Sequence, residues 1–194
     1  MPAVRKMTKQ FIEVSTMAVK GIENYEPVQL IDSKSIIKIY RETKTNFCDQ
    51  QFSENWTAWS DDKNEWWEHA PIILKFGTFC HEVCWMQEYD LLISADTINT
   101  SNNFNLYDLD EYPSHWRKDA LSSLQSSIGR NLLGIDLLEA EVNYTPGSTS
   151  HLWIPYGIIF MFNATAFCIY NAFDSNGTTT IIPTGDEYRR INIW

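Results

Sequence analysis

The feature that most constrains this chain is a strand-turn-strand pattern that occurs twice. "PIILKFGTFCHEVCW" (Pro71–Trp85) and "YGIIFMFNATAFCIYNAF" (Tyr156–Phe173) each open on a run of Ile, Leu and Phe. Each then turns and enters a second strand that carries aromatic residues and cysteine. Ile72, Ile73, Leu74 and Phe76 match Ile158, Ile159, Phe160 and Phe162, and the turns are Gly77-Thr78 and Asn163-Ala164. Short apolar runs bounded by turn residues read as strands. Polar strand-enders follow in both places, Asp90 and Asp174. "DSKSIIKIY" (Asp32–Tyr40) parallels "IGRNLLGID" (Ile128–Asp136), each a polar turn that opens into a strand. A repeated order of this kind implies an internal duplication. The expected fold class is α+β: two related antiparallel β units with helices packed on them.

Helices are expected at three places. Phe11, Val14 and Ala18 share a face over Thr8–Lys20, and Gly21 supplies a stop. In "FSENWTAWSDDKNEWWEHAP", Phe52, Trp56, Trp59 and Trp66 follow one another at helical spacing, which predicts a Trp-rich helix inserted in the first unit and ended by Pro71. In "HWRKDALSSLQSSIG", Trp116, Leu121, Leu124 and Ile128 keep a helical period up to Gly129. "NLLGIDLLEAEVNY" instead alternates, which predicts a strand with Leu138, Ala140, Val142 and Tyr144 on one side and exposed Glu139 and Glu141 on the other. "YDLLIS" and "RRINIW" read as further strands, "TPGSTS" as a turn and "DSNG" as a hairpin turn. The Asn- and Asp-rich "NTSNNFNLYDLDEYPS" reads as a loop. These pieces divide the chain into an N-terminal helical segment (1–27), a first β unit (28–100), a linker (101–113) and a helix with the second β unit (114–194).

"FCHEVCW" (Phe79–Trp85) is the one stretch that suggests a metal. On a helix, Cys80, Cys84 and His81 would converge, whereas on a strand the two thiols stand about 13 Å apart, too far for one zinc ion or a disulfide. The match to "AFCIYNAF" favours the strand, so no metal site is expected and the cysteines read as small core residues. The four cysteines, Cys48, Cys80, Cys84 and Cys168, are sparse for a disulfide-stapled fold and read as reduced thiols in a cytoplasmic protein. No apolar run reaches the roughly 18–20 residues of a membrane span, and Glu13 and Lys20 interrupt any signal-peptide core. A formal net charge of −10 argues against nucleic acid and anionic membrane as partners and is compatible with a basic protein partner.

No phosphate loop, dinucleotide fingerprint, HExxH or nucleophile elbow is present, so no catalytic residue, no metal and no cofactor is expected. The most unusual feature is the Trp cluster set in carboxylates. Trp59 and Trp67 with Asp61, Asp62, Glu65 and Glu68, together with Asp108, Asp110 and Glu111 of "YDLDEY", form the candidate partner-binding set. Tryptophan anchors interfaces and carboxylates steer a basic partner. A helix burying its aromatic face on a sheet explains the same tryptophans without any function.

"IGRNLLGIDLLE", "YGIIFMFNATAFCIYNAFDSNG" and "GDEYRRI" together resemble the closing half of small cytosolic bacterial proteins, some of them immunity proteins that neutralise toxins. The ending "N-A-x-D-x-N-G", here Asn171, Ala172, Asp174, Asn176 and Gly177, carries the resemblance. It implies a non-enzymatic protein acting by surface complementarity, with a basic toxin domain as partner, and it supplies no catalytic residue. The alternatives are a small-molecule or carbohydrate-binding module that uses the Trp cluster, and a cryptic hydrolase hidden among the acidic residues.

Overall fold

The computed structural model describes residues 5–6, 28–30, 32–85, 91–96, 98, 100–101, 104–105, 113–142, 152–172 and 175–194. The expected helix Thr8–Lys20, the run Asp108, Asp110 and Glu111, and the turn "TPGSTS" lie outside the described residues. Among the described residues no helix is long and apolar enough to cross a membrane.

The fold is mostly antiparallel β, in two sheets, with few helices. In chain order the elements are β1 (Arg5–Lys6), β2 (Val28–Leu30), α1 (Ser33–Glu42), α2 (Lys44–Phe47), β3 (Phe52–Ser60), β4 (Glu65–Trp66), β5 (Ile72–Phe76), β6 (Phe79–Trp85), β7 (Leu91–Ala95), β8 (Phe104–Asn105) and β9 (Pro113–Lys118). A 3₁₀ helix (Ser122–Ser127) then leads into β10 (Leu132–Val142), β11 (Leu152–Phe162), β12 (Thr165–Asn171), β13 (Asn176–Thr179) and β14 (Tyr188–Asn192). The first sheet runs β1-β2-β7-β6-β5-β3-β9-β8, with β4 paired to β3. The second runs β13-β12-β11-β10-β14.

The order β7-β6-β5-β3-β9 in the first sheet is the order β13-β12-β11-β10-β14 in the second. Details coincide as well. A one-residue bulge falls at Ser53, between the pairs Phe52–Phe76 and Glu54–Lys75. Another falls at Leu133, between Leu132–Phe162 and Gly134–Met161. The Asp119 amide donates to the Asn55 carbonyl at 2.7 Å, and the Ile193 amide donates to the Ile135 carbonyl at 3.0 Å. The two strand starts meet at an isolated bridge, Gln51–Asn131. There Phe52 N–H donates to Arg130 O at 2.9 Å and Leu132 N–H to Gln50 O at 3.0 Å.

One apolar layer joins the sheets. Leu74, Phe76, Val83 and Trp85 from the first meet Leu137, Ile158, Phe160, Phe167 and Ile169 from the second. α1 and α2 add Ile36, Tyr40 and Phe47, all fully buried. Each such side chain contributes roughly 1.5–3 kcal/mol through its removal from water. On β6 the alternation is as expected: His81, Val83 and Trp85 are on the core face, and Cys80, Glu82 and Cys84 are on the other. Burial pushes the Cys84 thiol up to about 12, so the group is a proton-bearing packing element rather than a thiolate.

Five expectations are corrected. "SIIKIY" is not a strand but the body of α1. Asp32 caps it by accepting from the Ser35 amide at 2.9 Å, and Ile36 and Tyr40 fall one turn apart on the buried face. "DSKSIIKIY" is therefore not the counterpart of "IGRNLLGID", which enters β10. The expected Trp-rich helix is β3, a turn and β4. Both faces of β3 are covered, so its aromatics follow no single face, and Asp61-Asp62-Lys63-Asn64 supplies turn chemistry that interrupts any helix. "HWRKDALSSLQSSIG" opens as β9, whose Trp116 pairs with Ala58 of β3, and only its later part winds into 3₁₀ turns. Glu139, expected to be exposed, shares the core-facing side of β10 with Leu137 and is 2% exposed. It accepts from Ser33 Oγ at the start of α1 and from Arg189 Nε of β14. Glu141 is half-buried.

The core contains a titratable pair. The Tyr40 hydroxyl and His81 Nε2 share a hydrogen bond of 2.9 Å, and both residues are buried among Phe47, Phe79 and Phe160. Burial pushes His81 down to about 3. The unfolded chain takes up a proton on this histidine near pH 6.5, and the folded chain does so only near pH 3. Stability due to this residue is therefore full above pH 6.5 and falls as pH drops, by about 2 kcal/mol between pH 7 and 5. In the second sheet Phe167 occupies the equivalent place opposite Phe160, as His81 does opposite Leu74. The double variant Tyr40→Phe/His81→Phe should flatten the dependence of the urea midpoint on pH over that interval. A slope identical to that of the parent chain would refute the assignment.

Candidate functional site

The candidate site grows from the far end of β3. Trp59 pairs with Trp66 and Ser60 with Glu65, so β3 and β4 form a hairpin closed by Asp61–Asn64. Asn64 adopts φ of 54°, a left-handed conformation that asparagine tolerates better than most residues. Ser60 Oγ accepts from the Lys63 amide at 3.3 Å inside the turn. The chain then returns toward β5, held by Trp67 N–H donating to Ala58 O at 2.7 Å and Ala70 N–H to Trp67 O at 3.1 Å.

The return segment is also pinned from the second sheet. The buried Asn176 side chain donates to the carbonyls of Glu68 at 2.7 Å and Ala70 at 2.9 Å, and accepts from the Trp85 amide at 2.7 Å. Its own backbone N–H donates to the Glu68 carbonyl at 2.8 Å. One residue thus ties the hairpin, the end of β6 and the start of β13 together. Gly177, the next residue, lies under the Tyr170 ring, where a Cβ would stand 2.3 Å from a ring carbon. These are the structural duties of the "N-G" in the motif of the second unit.

The six candidate residues that the structure describes are gathered on this hairpin. Asp61, Asp62, Glu65 and Glu68 are exposed, and Trp59 and Trp67 are half-buried. Trp67 packs with Trp56, Ala58, Ala70 and Trp116 on the outer side of the first sheet. Trp66 leans on the main core. Cations supplied by the chain itself sit on two of the indoles. Arg117 Cζ lies 3.9 Å from the centre of the Trp59 ring, and Lys63 Nζ lies 5.1 Å from that of Trp67. The carboxylates have loose partners: Asp61 with His115 at 2.9 Å, Glu65 with Lys63 at 4.0 Å and Glu68 with His69 at 3.9 Å. With side chains 38–60% exposed, such pairs hold their groups weakly, at roughly 0–1 kcal/mol.

A pocket of about 380 Å³ is lined by Lys63, Glu65, Trp66, Trp67, Glu68 and His69. The sequence presents Trp66 within the Trp cluster, but Lys63, His69, His115, Arg117 and Asn176 were missed. Lys63 and His69 are the non-acidic members of the same run, and a strand reading of 52–66 would have brought them forward. His115 and Arg117 arrive through the pairing of β9 with β3, which no local pattern announces. Asn176 was visible as part of a motif, but its work lies 106 residues away at Ala70.

Besides Glu139, the buried carboxylates of Asp136 and Glu82 also carry polar groupings. Asp136 accepts from Arg190 and Asn192, and Glu82 accepts from Ser94 Oγ at 2.5 Å and the Ile98 amide at 2.8 Å. Among the described residues no three His, Cys, Asp or Glu side chains converge as a metal-holding group. Comparison of the chain with protein-family models, with curated proteins and with solved structures finds no match.

Removing the pin should loosen the hairpin. Asn176→Ala strips the Glu68 and Ala70 carbonyls of a donor and leaves the buried Trp85 N–H without its acceptor, at a cost of about 2–4 kcal/mol. The urea midpoint should fall, and amide exchange at Trp67 and Ala70 should accelerate more than at Phe160. Equal acceleration at all three would show that Asn176 holds the whole fold rather than this hairpin.

Proposed function

We propose that the protein is a non-enzymatic binding protein whose acidic hairpin docks on a basic protein partner. The sharpest form of this reading is an immunity protein that blocks a basic toxin domain. The observation that carries it is the joint exposure of Asp61, Asp62, Glu65 and Glu68 on one hairpin fixed at both ends, beside half-buried tryptophans. Exposed carboxylates raise the encounter rate with a basic surface, and a rigid indole beside them supplies contact area at low entropic cost. The net charge of −10 acts in the same direction at longer range.

The two β units fit an internal duplication, which the shared strand order, the matched bulges and the Gln51–Asn131 bridge support. Under that reading the acidic hairpin is the link between the first and second strands of the first unit, enlarged into a binding element.

The chain, used as bait in its source cell, should retain a basic protein at low salt and release it as salt rises. The variant Asp62→Lys/Glu65→Lys/Glu68→Lys should lose that protein by at least about tenfold, since like charges facing each other across an interface cost several kcal/mol. Retention unchanged by the reversal, or no basic protein in the eluate, would sink the reading. A carbohydrate-binding module remains the second reading because two indoles line the pocket. It requires that saccharides, rather than a basic protein, perturb Trp66 and Trp67.

A further inference from the structure

The pocket on the hairpin has a chemistry more specific than negative charge. Its six lining residues include two indoles, two carboxylates and one ammonium. The ammonium, Lys63, stands over the Trp67 ring at 5.1 Å while pairing with Glu65 at 4.0 Å. The ring and the carboxylate therefore already receive a cation, supplied by the chain itself. Lys63 is a poor occupant. Its side chain is about half exposed (52%), its carboxylate partner lies at the limit of an ion pair, and an ammonium presents no flat face to stack on an indole. Against the same hairpin, Arg117 of β9 shows what a better fit looks like, with its guanidinium 3.9 Å from the centre of the Trp59 ring.

We infer that this pocket is the receptor for an arginine side chain of the partner, with Lys63 as a built-in competitor that the arginine displaces. This rests on the docking function proposed above and names the group recognised there. A guanidinium is planar, stacks on an indole face and donates in a fork that suits Glu65 and Glu68. Displacing Lys63 costs little, because its pair is exposed and screened. It returns a mobile lysine to solvent and frees the Trp67 face and the Glu65 carboxylate for the arriving group. Lys63 also discriminates: weakly basic or neutral ligands fail to compete with a cation that is tethered beside the ring.

The test uses the full chain labelled with ¹⁵N and two capped tripeptides, acetyl-Gly-Arg-Gly-amide and the same peptide with citrulline, the neutral isostere, in place of arginine. The arginine peptide should shift the signals of Lys63, Trp66, Trp67, Glu68 and His69 saturably, and the citrulline peptide should not. Lys63→Ala should bind the arginine peptide about two- to fivefold more tightly, the size of one exposed cation–aromatic contact. Glu65→Gln/Glu68→Gln should weaken it. Equal shifts from both peptides, scattered shifts with no saturation, or weaker binding to Lys63→Ala would overturn the inference. If charge reversal on the hairpin abolishes partner retention while the arginine peptide leaves the pocket silent, docking stands and the arginine receptor falls. If the peptide binds as described but no basic partner depends on the hairpin, the receptor stands and the docking function falls.

Discussion

The side chain of Asn176 is the polar interaction on which the arrangement of this molecule turns. Two sheets that share an apolar layer can slide, because apolar contact has no preferred register. Directional bonds between them remove that freedom. Asn176 supplies three at once, to Trp85 at the end of β6 and to the Glu68 and Ala70 carbonyls behind the hairpin. The Trp85 indole adds a fourth, donating to the Ile169 carbonyl across the core at 3.2 Å. Buried amide bonds of this kind contribute modestly when made and cost more when one partner is removed, so they select a single register rather than supply the bulk of the stability. The hairpin that carries the exposed carboxylates is held in place by the same residue.

The strands that sequence revealed are those whose apolar residues face the shared layer. β5, β6, β11 and β12 are short apolar runs joined by two-residue turns, and their pattern needs no knowledge of distant partners. α1 was misread because Ile36, Ile37 and Ile39 are β-branched, yet Asp32 stands at capping distance before them and Ile36 and Tyr40 lie one helical turn apart. Cap and period outweigh residue preference there. β3 was misread for the opposite reason. Trp56 and Trp59 mimic a helical face, but one packs with Trp116 on the outer side and the other carries Arg117. A strand covered on both sides loses its alternation, so periodicity cannot identify it. The carboxylates and tryptophans of the site were legible as composition. Their grouping with Arg117, His115 and Asn176 was not, because it depends on pairings to β9 and β13 that no local signal encodes.

The candidate site also shows how a surface can be acidic and still be internally compensated. Lys63, His69, His115 and Arg117 each stand against a carboxylate or an indole of the hairpin. None of these contacts is buried enough to be strong. A surface built this way keeps its side chains near one another without committing them, because each contact is exposed and screened. Under the proposed docking function, long-range steering would come from the charge of the whole chain and short-range selectivity from the displacement of Lys63.

Packing and exposure are separated along the single stretch from Ala58 to Ala70. At its base Ala70 is fully buried, and Ala58 and Trp67 cover the outer side of the first sheet together with Trp116. At its tip Asp61, Asp62, Lys63 and Glu65 are exposed. The corresponding outer side of the second sheet is arranged differently: Leu138, Ile159 and Cys168 lie beneath Tyr156, Tyr170 and Tyr188, with no hairpin over them among the described residues. If the two units descend from one, the first met the need to cover its outer face with a loop, and a loop that must be present for packing is free to vary at its tip. Substitutions there change charge without opening the sheet, whereas substitutions at Trp67 or Ala70 expose Ile73 and the strands beneath. The place where this fold tolerates a change of charge without a change of packing is the turn between β3 and β4.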